Sequence, residues 1–174
     1  ERVERLIDEN ASCTAHRIGY NDGPFPGIGF EGRGGTILQW TLGFNASPHE
    51  IALRRGHREV FDLLLSRTAM RPRLLVACMV GDEAMAHELA AEDPELIATL
   101  AADDRQLLAK ACWGTNRNFD AVRIMLALGF PVDVPETNHF YSPLHNAAFD
   151  GNTPLVKLLL EYDPPVDLVA PEYR

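Results

Sequence analysis

Residues 141–168 read YSPLHNAAFDGNTPLVKLLLEYDPPVDL. Ser142-Pro143 is a helix start. The serine oxygen caps an orphan backbone N–H, and proline suits the first helical position, where its missing N–H would have found no partner. The helix is short, because Gly151 ends it in the left-handed conformation that glycine adopts readily. Thr153-Pro154 repeats the start signal, and Leu155, Val156, Leu158, Leu159 and Leu160 give the second helix a wide apolar face. Two short helices joined at a glycine cannot bury their apolar faces alone, so the stretch requires neighbours of its own kind.

Such neighbours are present. Residues 47–65, SPHEIALRRGHREVFDLLL, repeat the nine-residue step from a Ser-Pro pair to a glycine, Ser47 to Gly56. Glu50 completes a capping box with Ser47. Residues 73–90 place Ala77-Cys78 and Gly81 in the same register, and residues 107–130 give Ala111-Cys112 and the final Leu126-x-x-Gly129, with two extra residues around 115–118. The anchoring alanines are Ala52, Ala77, Ala111 and Ala147, at steps of 25, 34 and 36.

Ser142-Pro143-Leu144-His145, followed by Ala147-Ala148 and Gly151, resembles the ankyrin repeat, whose units of about 33 residues carry T-P-L-H-x-A. The match is specific over 142–160, good over 47–65, and carried by register alone over 73–90 and 107–130. The resemblance implies an all-α fold: an ankyrin-repeat solenoid of stacked helical hairpins with a Gly/Pro-rich insertion. Its units are a leading half repeat at 1–12, a loop and truncated unit at 13–46, and repeats at 47–70, 71–103, 104–134 and 135–168. Residues 169–174 read as the start of a further finger, and Asn10 stands where a left-handed glycine is usual. It also implies structural roles. Ser142 and His145 lock the turn by hydrogen bonds, Ala147 and Ala148 let helices approach closely, and Cys78 and Cys112 are small buried residues rather than nucleophiles.

Composition narrows the class of partner. A net charge of −9 and a pI near 5.1 argue against nucleic acid and anionic membranes, which need clustered Lys and Arg. With 46% apolar residues a packed core is expected, and no apolar run is long enough to span a bilayer. Three widely spaced cysteines, Cys13, Cys78 and Cys112, make neither a disulfide framework nor a zinc knuckle, and a cytoplasmic location is expected. The chain opens on Glu, so its natural start is expected upstream.

Residues 13–46, CTAHRIGYNDGPFPGIGFEGRGGTILQWTLGFNA, do not fit the hairpin pattern. They read as an elongated loop followed by a truncated unit. A β-hairpin is the rival, since Thr36–Thr41 also suits a strand. Gly27-x-Gly29-x-x-Gly32 matches a dinucleotide fingerprint in letters only, because no strand precedes it and no helix opens on it. His49-Glu50 and His87-Glu88 lack a second histidine four residues on, so no zinc site is assigned. No catalytic constellation, cofactor or metal is expected.

Register supplies a candidate surface. In the ankyrin pattern, positions just before the turn glycine face the concave side and align along the stack. The position two before glycine carries Arg54, Met79 and Phe149, with Trp113 its equivalent after Ala111. Asn146 and Asp150 fall on the neighbouring ribbons, and His139, Phe140 and Tyr141 lie on the finger before the last unit. Met, Trp and Phe are interface hot-spot types. For Met79 and Trp113 two readings stand, a partner surface or a stripe covered by residues 13–46; for Phe149 the partner surface is preferred. The expected function is therefore a non-enzymatic protein-protein interaction module, a monomer binding a protein partner and neither nucleic acid nor membrane. The alternative is a regulatory or targeting segment of a larger enzyme whose catalytic domain lies outside this chain.

Overall fold

Ser47 and Ser142 each close a reciprocal cap. Ser47 Oγ accepts the Glu50 N–H at 3.2 Å while Glu50 Oε2 accepts the Ser47 N–H at 2.9 Å. Ser142 Oγ accepts the His145 N–H at 3.3 Å, and His145 Nδ1 accepts the Ser142 N–H at 3.4 Å. The helices begin at the prolines: α2 at Pro48–Arg54 and α10 at Pro143–Phe149. The protein is seen in a computed structural model that describes residues 2–9, 46–114, 117–135 and 141–169. In chain order the other helices are α1 Arg2–Glu9, α3 Arg58–Ser66, α4 Met70–Val80, α5 Glu83–Glu92, α6 Glu95–Ala98, α7 Ala102–Arg105, α8 Leu107–Ala111, α9 Phe119–Ala127 and α11 Thr153–Leu160. No strand occurs among the described residues, so the fold is all-α and ankyrin-like. Asn10, the Gly-rich motif and the rival β-hairpin lie outside the described residues.

One turn geometry joins the hairpins. Gly56, Gly81 and Gly151 sit at φ +75, +79 and +62, where a Cβ would strain the backbone. The residue after each glycine donates to the anchoring alanine five positions earlier: His57 to Ala52 and Asp82 to Ala77 at 2.9 Å, Asn152 to Ala147 at 3.0 Å. This is the Schellman closure, which satisfies a helix-end carbonyl. Between α8 and α9 the same bond runs from the Asn118 N–H to the Ala111 carbonyl at 3.0 Å, across seven positions instead of five. The two extra residues are therefore absorbed in the turn, and the alanine anchor is kept.

The second helices start one residue earlier than the Thr153-Pro154 signal suggests. Asn152 caps α11 by accepting the Leu155 N–H at 3.2 Å, leaving Thr153 and Pro154 inside the first turn. Asp82 caps α5 through the Met85 N–H, and Asn118 caps α9 through the Ala121 N–H. A short acceptor side chain reaches these donors from the residue next to the turn, and threonine one position on does not.

The chain divides into two compact units, 1–76 and 77–174, with the division inside α4. In the first, Ala46, Ala52, Phe61, Leu64 and Leu74 are buried. Buried His49 reaches Thr68 Oγ1 at 2.9 Å through Nε2. Thr68 spends its own proton on the Leu64 carbonyl at 2.7 Å, so the His49 Nε2–H is the donor. Arg73 donates to the carbonyls of Leu65 and Thr68, where a cation offsets the negative end of α3. Arg67 bonds Asp8, tying α1 to the end of the same helix.

In the second unit α10 packs on α8, and α9 on α5. Its core holds Leu107, Leu108, Val122, Ile124, Met125, Leu155 and Leu159, together with the buried Cys78 and Cys112. Arg123 makes a bidentate pair with Glu83, at 2.7 and 2.8 Å, between α9 and α5.

Candidate partner-binding surface

The surface of the second unit is built on the parallel pair α8 and α10. Asn146 sets their register: its Nδ2 donates to the Ala109 carbonyl at 2.9 Å. Phe149 and Asp150 follow one turn further along α10. Asp150 Oδ2 accepts from Arg117 Nη1 at 3.1 Å, a second tie between the two hairpin turns. Phe149 is 77% exposed, while Trp113 is half-buried. Phe149 is thus a large aromatic side chain left in water on a helix held by these two ties.

The other positions that register singles out divide by burial. Met79 is 6% exposed and Asn146 1%, so neither presents a side chain to a partner. The Met79 backbone is tied to the next hairpin, Asn118 Nδ2 donating to its carbonyl at 3.1 Å. Asn146 is spent on Ala109. Tyr141 is half-buried and stacks on His145 with ring centroids 6.0 Å apart, which fixes the entry to α10. Arg54 belongs to the first unit, where it reaches Glu50 Oε1 at 3.5 Å from the exposed end of α2. His139, Phe140 and the covering segment 13–46, its last residue excepted, lie outside the described residues.

His145 serves the cap. Its Nδ1 lies 2.8 Å from Ser142 Oγ and also accepts the Ser142 N–H, so that nitrogen carries no proton and the hydroxyl donates to it. Burial pushes the Cys112 thiol up, away from the thiolate that nucleophilic chemistry needs. The Arg123 hydrogen bonds hold the Glu83 carboxyl below its ordinary range, and that pair fastens hairpin to hairpin. Among the described residues no group of three or more His, Cys, Asp or Glu is placed to hold a metal, and no helix is long and apolar enough to cross a membrane.

Sequence reasoning missed the ties Arg117–Asp150 and Glu83–Arg123, which connect residues 33 and 40 apart. It also missed the capping residues Asp82 and Asn152, whose one signal is that each directly follows a turn glycine. Residues 139–168 match the family model of the ankyrin repeat. None of the curated proteins compared with the chain matches it.

Proposed function

We propose, from the premise that the chain carries an ankyrin repeat at residues 139–168 and is all-α among its described residues, that it is a non-enzymatic module binding a protein partner through the exposed end of α10. An ankyrin repeat is an interaction unit, and the observation that carries the reading here is Phe149, a large aromatic 77% exposed on a helix held by Asn146 and Asp150. Half-buried Trp113 is a further proposed contact, and Arg117, paired with Asp150, is the cation beside the end of α10. Met79 and Asn146 contribute by fixing the hairpins, and His139, Phe140 and Tyr141, which precede α10 in the chain, are further proposed contacts.

The test is affinity capture with the 174-residue chain, followed by titration of the captured protein against the wild type and Phe149→Ala. The substitution is expected to weaken binding by more than about 2 kcal/mol, the hot-spot range, without lowering the melting temperature. Equal affinity for both chains refutes the assignment of Phe149.

A further inference from the structure

Residues 54–58 read Arg-Arg-Gly-His-Arg, four basic side chains within five residues of a chain whose net charge is −9. All four are exposed, on the turn that joins α2 to α3. The turn is fixed: the Gly56 N–H bonds the Leu53 carbonyl and the His57 N–H the Ala52 carbonyl, each at 2.9 Å. The matching turns are not basic. Met79-Val80-Gly81-Asp82-Glu83 leads into α5, and residues 149–153, FDGNT, lead into α11. Nor does the local fold call for every one of these cations. Arg54 and Arg55 complement the negative end of α2, but His57 and Arg58 stand at the positive end of α3, where a cation costs stability. Asp82 and Asn152 cap the helices that follow them, whereas His57 makes no side-chain cap. Residues that work against their own helix are expected where a surface serves binding.

We infer that the α2/α3 turn is a docking surface for an acidic peptide segment of a protein partner, its Asp and Glu side chains taken by Arg54, Arg55, His57 and Arg58. The surface belongs to the first unit and is independent of the reading of Phe149. Arg54 leans back along α2 to Glu50 Oε1 at 3.5 Å, and Arg58 leans forward along α3 to Asp62 Oδ1 at 3.0 Å, with its guanidinium 5.1 Å from the centre of the Phe61 ring. Arg55 and His57 stand between them with side chains in no ion pair among the described residues. The cations therefore line the turn rather than converge on one point. Single charges spaced along a peptide fit that layout better than one phosphate group does. The net charge of −9 repels an extended polyanion such as nucleic acid. A short acidic segment meets mainly the local cations, because screening acts over about 8 Å at physiological ionic strength.

Fluorescence anisotropy of the 174-residue chain with a labelled peptide of alternating Asp and Glu, about ten residues long, tests this directly. Saturable binding is expected, weakening as salt rises from about 0.05 to about 0.5 M, and the peptide of alternating Asn and Gln is expected not to bind. Arg55→Glu with His57→Glu is expected to lower the affinity at least about tenfold with an unchanged circular dichroism spectrum. His57→Asp alone is expected to weaken the peptide and to raise the melting temperature, since it caps α3; loss of structure does not produce that combination. No saturable binding, equal binding of the neutral peptide, or a double variant that binds as the wild type does each overturns the inference. A phosphoserine peptide of the same length held at least about tenfold more tightly overturns the choice of carboxylates. Self-association of the chain in sedimentation velocity, abolished by the same double variant, makes the occupant a second copy and overturns the separate partner.

Discussion

Replacing Asn146 isolates the bond that registers α10 on α8. The side chain is 1% exposed, and its Nδ2 meets the Ala109 carbonyl at 2.9 Å. The carbonyl also accepts the Cys112 N–H at 3.2 Å, so Asn146→Ala leaves it half satisfied rather than orphaned. A net hydrogen bond contributes about 1 kcal/mol, and the lost side-chain volume adds to that, so about 1–2 kcal/mol is expected. In a chain of 174 residues each 1 kcal/mol moves the melting temperature by about 2–4 °C, giving a fall of about 2–8 °C. Asn146→Asp keeps the shape but aims a carboxylate at a buried carbonyl, and is expected to cost more than alanine does. Because stability in a repeat array is a sum of unit and interface contributions, hydrogen exchange is expected to quicken in α10 and α11 before α8 and α9. An Asp variant as stable as the wild type, or an Ala variant with unchanged exchange in α10, refutes the claim that this amide registers the hairpins.

Three further outcomes are expected. Glu83 has a carboxyl held below its ordinary value of 4.5 in the folded chain. Its stabilisation is therefore full above the unfolded value and is lost as pH falls through the lower folded one. The melting-temperature gap between wild type and Glu83→Gln is expected to be widest near neutrality and to close on acidification, whereas a gap independent of pH contradicts the pair's role. Gly151→Ala forces a Cβ onto a backbone at φ +62 with nothing within 4 Å, so the cost is backbone strain alone, about 1 kcal/mol by urea denaturation, and Gly151→Asn costs less. Cys78 and Cys112 are expected to resist a thiol reagent in the native chain and to react on unfolding, as mapped by mass spectrometry; prompt native labelling of Cys112 means that α8 opens.

What the sequence determined by itself is local. Ser47-Pro48 and Ser142-Pro143 start helices wherever they occur, because cap and φ constraint act within four residues. The turn glycines end them because a backbone at positive φ excludes most side chains. The anchoring alanines were legible for the same reason, including the two-residue insertion after Ala111, since a closure across five or seven positions is a short-range event. The Thr153-Pro154 reading missed by one residue because two good acceptors stand side by side, and only the geometry of the turn selects Asn152.

The tertiary structure decided which positions of one sequence register are inside. Met79 and Phe149 hold equivalent places two residues before a turn glycine, yet one is buried and the other open. The difference lies in what packs against each side chain, and no feature within either helix encodes that. The pairs Glu83–Arg123 and Arg117–Asp150 are of the same kind: each side chain alone is an ordinary surface charge, and stacking alone sets it within hydrogen-bonding distance of its partner.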